Sequence, residues 1–160
     1  MLAALAVAPL TSVAAFAPQT GPKWIRGLYV ADSPLPDRLP QAIAHAAARE
    51  RASSSANTVI VTGFGQSMEP LYESGTLMVV TRGTYDQLRR GQTVVYRNRA
   101  NQAVAHVLVA KCRDGWRVAG LNNPRHDGEG VNPGNFLGLV VAAITPVRDQ
   151  AVAAVRATGR

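Results

Sequence analysis

The sequence predicts a mainly β domain, and three observations lead there. From Asn57 onward, short runs rich in Val, Thr and Leu recur along the chain. Gly, Asn and Asp turns separate them, as expected of successive strands. Only residues 85–90 in that region read as a helical turn. At 160 residues and 47% hydrophobic content, the chain can form one domain with a core, plus extensions.

Residues 1–17 carry no charge and are rich in Ala, Leu and Val. Three readings compete. A transmembrane helix needs ~20 apolar residues, and this run is shorter and broken by Pro9. A secretory signal has an apolar core of this length and an Ala-x-Ala exit, supplied here by Ala15-Phe16-Ala17. Against that, no Lys or Arg precedes the run, and Pro18 follows the cut. The third reading is an apolar terminus of low information, with a start site assigned too far downstream. Export or membrane association, on the extracytoplasmic face, is the expectation.

Residues 18–40 carry Pro18, Pro22, Pro34, Pro36 and Pro40, which break regular structure. Pro40 can sit in the first turn of a short alanine-rich helix over 41–51. Ser53-Ser54-Ser55 then reads as a linker. The expected division is an apolar segment (1–22), a Pro/Ala-rich tether with a short helix (23–56), the β domain (57–147) and a tail (148–160). The tail reads as a short helix or as disordered.

Within the β domain the predicted strands are Thr58–Thr62, 76–82, Thr93–Arg97, Ala103–Cys112, 116–119 and 137–144. Arg113-Asp114-Gly115 joins two of them as a hairpin turn. Cys112, at a strand end, reads as a small buried hydrophobe.

The net charge is +7, spread along the chain without a dense basic run, and aromatics make up 6%. Nucleic-acid binding normally concentrates both on one surface, so none is expected. A basic, solvated surface is the favoured reading of such a charge, and attraction to an anionic membrane face is the more interesting alternative. One cysteine excludes an intrachain disulfide. His45, His106, Cys112 and His126 lack zinc-site spacing, so no metal is expected, and no cofactor either.

The stretch with the most chemistry is Gly63-Phe64-Gly65-Gln66-Ser67-Met68-Glu69-Pro70-Leu71. It sets one serine between a flexible glycine pair and a rigid Met-Glu-Pro, in a turn between two strands. A serine hydroxyl becomes a nucleophile only when a base takes its proton. Lys111, His106 and His126 are the candidates. His106 and Lys111 are five residues apart, so in a regular strand they point to opposite faces, unless a bulge intervenes. His106 lies in the strand body, Lys111 at its end beside a turn. An imidazole is a competent base at neutral pH without tuning, whereas a lysine first needs heavy desolvation. Asp127 is the best carboxylate to orient His106, because a hairpin return can carry its loop back to the start of that strand. His126, Glu129 or no partner at all remain open. The simplest oxyanion donors are the Ser67 backbone N–H and a neighbouring loop group, with Gly65, Gln66 and Met68 as candidate substrate-binding or oxyanion positions.

Residues 65–71 closely resemble the serine box of the type I signal peptidases and the related self-cleaving SOS-repressor peptidases. The resemblance covers roughly residues 61–141. It implies a twisted β-sheet peptidase domain, here with a short N-terminal helical extension. His106 falls 39 residues after the serine, where the archaeal and endoplasmic-reticulum type carries its histidine base. Gly120-Leu121-Asn122-Asn123-Pro124 and Asp127 resemble that type's downstream segment, with Asp127 matching its catalytic aspartate. Residues 136–141 resemble its closing strand. The implied function is a serine endopeptidase acting on a polypeptide, by resemblance an exported preprotein with small residues before the cut. Self-cleavage of the repressor kind and a non-catalytic binding module of the same fold are the alternatives. Thr76, Gln92 and Leu121 stand where the family often has aspartate, which puts structural salt bridges or hydrogen bonds in doubt.

Overall fold

The computed structural model describes residues 30–83 and 85–148. The apolar segment 1–17, its Ala15-Phe16-Ala17 exit and the tail beyond Arg148 lie outside the described residues. Eight strands form one sheet: β1 Pro36–Pro40, β2 Thr58–Thr62, β3 Leu77–Thr81, β4 Thr93–Arg97, β5 Ala103–Cys112, β6 Gly115–Ala119, β7 Gly130–Val131 and β8 Phe136–Val147. Their order is β2-β3-β8-β4-β5-β6-β7, with β1 also on β8. β1 runs parallel to β8, and the other pairings are antiparallel.

The strands form where β-branched residues let both faces of a strand pack. Val79 and Val80 in β3 and Val94 and Val95 in β4 are all buried. One core gathers Met68, Leu71, Tyr72, Met78, Val80, Val95, Val107 and Val140. The other holds Leu88, Val94, Tyr96, Leu108, Trp116, Val118 and Val131. Each buried aliphatic side chain contributes about 1.5–3 kcal/mol of transfer free energy. The β5–β6 hairpin closes through Arg113 and Asp114, with Cys112 paired to Gly115.

The segment expected as a tether is built into this sheet instead. β1 pairs along β8 from Pro36↔Ala143 to Pro40↔Val147. Its prolines stand at the two ends of the strand, and β1 pairs with β8 alone, so few ladder bonds need a proline N–H. The helix α1, Gln41–Ser53, follows directly, with Pro40 at its N-cap. Ala44 and Ala48, one turn apart, are fully buried in a cluster with Leu77 and Ile144, because small residues let the helix approach the sheet closely. The sequence-predicted division at residue 56 therefore separates residues that share packing and hydrogen bonds.

Four further elements differ from expectation. β8 runs twelve residues and through Pro146, longer than the predicted 137–144. β7 was not expected, being two residues long with a glycine. Cys112 is exposed, since it sits at the hairpin end rather than in a core. Residues 85–90 shorten to a 3-10 turn at Tyr85–Gln87.

The positions where acids were missed are satisfied by neutral groups. Thr76 is fully buried and its hydroxyl meets that of Thr145 at 2.9 Å. Gln92 Oε1 accepts from the Arg89 N–H at 2.8 Å. Leu121 is buried in the core beside Met68. Among the described residues, no buried side-chain nitrogen or oxygen lacks a partner, and no helix is long and apolar enough to cross a membrane.

Candidate active site

The serine loop leaves β2 at Gly63, whose N–H donates to the Thr76 carbonyl at 2.8 Å. Gly65 has φ +88, a left-handed conformation that glycine adopts without steric cost and that turns the chain toward Ser67. After the serine, Met68, Leu71 and Tyr72 are buried and hold the loop against the core. The Tyr72 hydroxyl donates to the Pro34 carbonyl at 2.8 Å, so the start of the chain's described part also braces the loop. The Glu69–Pro70 peptide bond is cis.

His106 stands in the body of β5, 5% exposed, opposite Val94 of β4. Its Nε2 lies 3.1 Å from Ser67 Oγ. Its Nδ1 lies 2.5 Å from Oδ2 of Asp127. An ionised carboxylate only accepts, so Nδ1 carries the ring proton and the Nε2 lone pair faces the serine hydroxyl. Hydroxyl, imidazole and carboxylate thus stand in contact one after the other. Asp127 arrives on the loop after β6, and its own N–H is tied to the Val118 carbonyl at 3.0 Å.

Lys111 takes no part in this cluster. It is exposed at the end of β5, its ammonium 6.0 Å from the centroid of the Trp116 ring. The bulge that would suspend strand alternation is present: β5 and β6 shift register between Leu108 and Ala110, so strand parity does not relate residues 106 and 111. What separates them is the length of strand between the site and the hairpin. His126 is exposed. Glu129 turns to Arg99, whose N–H it accepts at 2.8 Å.

Three contributors escaped the sequence reading. The Tyr96 hydroxyl donates to the same Asp127 oxygen that meets His106. Tyr96 is 1% exposed, and burial, then its bond to Asp127, then the charges of Asp127 and Glu129 push its pKa well above the usual phenol value. It therefore remains a donor across the whole range in which enzymes work. Nothing in the run Thr93–Arg97 marks that tyrosine out. Gly120 follows β6 and passes close to the site: a Cβ there would lie 2.7 Å from the Ser67 carbonyl oxygen and 2.9 Å from His106 Nε2. Asn122 pins the serine loop twice, its N–H donating to Ser67 O at 2.8 Å and its Nδ2 to Gln66 O at 3.0 Å. Gly120 and Asn122 lie in the segment that resembles the family's downstream loop, and nothing in the sequence alone marks a task for either.

A cavity of about 260 Å³ opens beside Ser67. Gly65 and Met68 line it, together with Tyr72, Met78 and residues 103–105 of β5. Gln66 is exposed, and its carbonyl is taken up by Asn122 and by the Glu69 N–H. No group of three His, Cys, Asp or Glu side chains among the described residues is placed to hold a metal ion.

Compared with protein-family models, residues 32–141 match the one described as Peptidase S24-like. The chain belongs to the Peptidase S24-like family. No curated protein matches it. The family's span begins at residue 32 and so includes β1 and α1, in keeping with their packing on the sheet. It also takes in Ser67, His106 and Asp127. A mainly β, single-sheet architecture with one helix fits the Peptidase S24-like assignment, and the family supports a peptidase or repressor-peptidase function for the chain.

Proposed function

We propose that this chain is a serine endopeptidase in which Ser67 is the nucleophile, His106 the general base and Asp127 the group that orients the imidazole. The observation that carries the reading is the 3.1 Å approach of Ser67 Oγ to His106 Nε2, with a carboxylate on the ring's other nitrogen. Ser67 Oγ attacks the substrate carbonyl carbon while its proton passes to Nε2. The tetrahedral intermediate collapses, and the same proton goes to the leaving amine. Water then repeats the sequence on the acyl-serine and releases the acid. The Ser67 N–H and a backbone group of Gly65, Gln66 or Met68 are the donors assigned to the oxyanion.

The cavity beside Ser67 suits an extended polypeptide. On one side, residues 103–107 of β5 pair with β4. On the other, β6 pairs with β5 only from Val107 onward, which leaves 103–105 as a strand edge facing the cavity. A substrate that adds to that edge hydrogen-bonds through its main chain and presents alternate side chains to the walls. By family resemblance the residues before the cut are small, as in exported preproteins, and the protein acts on the extracytoplasmic side. The test is cleavage of a peptide carrying Ala-Phe-Ala before the scissile bond. The wild-type chain cuts it and Ser67→Ala does not; equal cleavage by both refutes the mechanism.

Self-cleavage is the second reading, favoured by Ala15-Phe16-Ala17 upstream of the family match. Its rate would not depend on protein concentration. A binding module that kept the fold is the third, favoured by the neutral residues at Thr76, Gln92 and Leu121. A serine-directed phosphonate probe separates it from the enzyme: the enzyme is labelled at Ser67 and the module is not.

A further inference from the structure

The cavity at Ser67 adjoins a second basin of about 380 Å³. Ala103 lines both. The basin's lining comes from β2, β3, β8, β4 and β5, neighbours in the sheet order, so it lies across one face of the sheet. Val61, Val80, Val95 and Leu137 supply apolar lining, and Arg82 and Arg97 supply charge. Arg97 Nη1 donates to the carbonyl and the side-chain oxygen of Asn101, both at 3.1 Å. Those bonds hold the guanidinium in place without neutralising it. Arg82 is exposed just beyond β3, its N–H fixed to the Asn57 carbonyl at 3.0 Å. Among the described residues no carboxylate pairs with either guanidinium.

An apolar floor beside two uncompensated cations is complementary to an aliphatic side chain next to a carboxylate. The chain's own N-terminal residues 1–29 do not supply one: they carry Lys23 and Arg26 and no acid. A polypeptide lying in the cleft does reach the basin. Ala103 precedes His106 by three residues along β5, about 10 Å of strand. An extended substrate covers that distance in about three residues.

We propose that this basin is a remote specificity subsite, taking an aliphatic residue flanked by Asp or Glu about three to four residues from the bond that is cut. The inference rests on the serine-peptidase reading of Ser67 and adds a substrate class to it. It makes Arg82 and Arg97 specificity-determining residues for a partner opposite in charge to this basic chain.

The test uses peptides with Ala-Phe-Ala before the scissile bond and a Leu-Glu or a Leu-Lys pair placed three or four residues from it, on either side. Two readouts are taken: kcat/KM with the intact chain, and binding of fluorescein-labelled peptides to Ser67→Ala. At one placement the Leu-Glu peptide is expected to win by about tenfold or more in both readouts. Arg82→Glu and Arg97→Glu, both surface changes, each reverse that preference with the melting temperature unchanged. Cleavage without discrimination between Glu and Lys overturns the subsite and leaves the peptidase reading standing. Discrimination in binding with no peptide cut supports the subsite and overturns the peptidase reading. Equal binding of both peptides, or loss of phosphatidylserine-vesicle binding in the two variants with peptide selectivity intact, assigns the arginines elsewhere and overturns the subsite.

Discussion

The Tyr96 hydroxyl donates to Oδ2 of Asp127, the oxygen that also meets His106. One carboxylate oxygen therefore carries both a buried phenol and the ring it is proposed to orient. Tyr96→Phe keeps the ring in its core and removes the hydroxyl alone. We expect a loss of about 1–3 kcal/mol in stability, the range for a hydrogen bond to a charged group. We also expect a fall of about tenfold in kcat/KM as Asp127 gains freedom to turn. Thermal unfolding and peptide cleavage, measured on the same preparation, check both. Unchanged activity would show that Asp127 is held well enough by its backbone bond to Val118.

Tyr96 and Tyr72 give the fold a defined alkaline limit. Burial raises the pKa of each above the ordinary 10.0, and for Tyr96 the nearby carboxylates add to it. Above pH 10 the unfolded chain releases these protons and the folded chain keeps them. Folded protein then binds more protons than unfolded, so stability is fully present below about pH 10 and is lost as pH rises beyond it, by about 1.4 kcal/mol per pH unit for each tyrosine. Titration of tyrosinate absorbance should show these two of the chain's four tyrosines ionising only as the protein unfolds. Their ionisation in step with free tyrosine, with the fold intact, would contradict the packing described.

Gly120→Ala is expected to disable the site while sparing the core. The added methyl would fall 2.7 Å from the Ser67 carbonyl and from Asn123 Nδ2, and 2.9 Å from His106 Nε2. Backbone or ring must move, and a displacement of about 1 Å in a reacting pair costs about a hundredfold in rate. The loss should appear in kcat rather than KM. A variant with full activity would place the histidine ring farther from Gly120 than it stands here.

Lys111→Ala separates the lysine from His106 as the base. With its ammonium over Trp116 and exposed to solvent, Lys111 should contribute within about 0.5 kcal/mol to stability and nothing to cleavage. Loss of activity in that variant would move the general base away from His106.

Much of this architecture was legible in the sequence, for reasons that differ by element. Thr58–Thr62, Thr93–Arg97 and Ala103–Cys112 are bounded by turn residues and rich in Val, and the strands have the same limits. The approach of Asp127 to His106 followed from a hairpin returning its loop to the start of the longer strand. What failed were features fixed by distant partners. β1 is strand because β8 offers it an edge, and Pro36 and Pro40 argue for loop until that edge is known. The register shift between Leu108 and Ala110 depends on β6 and leaves no mark in β5 itself. Tyr96 looks like any strand aromatic until Asp127 folds over it. Gly120 is one of fourteen glycines, and only the packed site reveals why a side chain does not fit there.

The central claim is that Ser67 and His106 act as one unit. Its most direct measurement is kcat/KM for Ser67→Ala, His106→Ala and the double variant on the Ala-Phe-Ala peptide. Residues that share one step lose their effect together, so the double variant should be no slower than either single one. Losses that multiply, or a His106→Ala variant that cuts as fast as the wild type, would contradict the account.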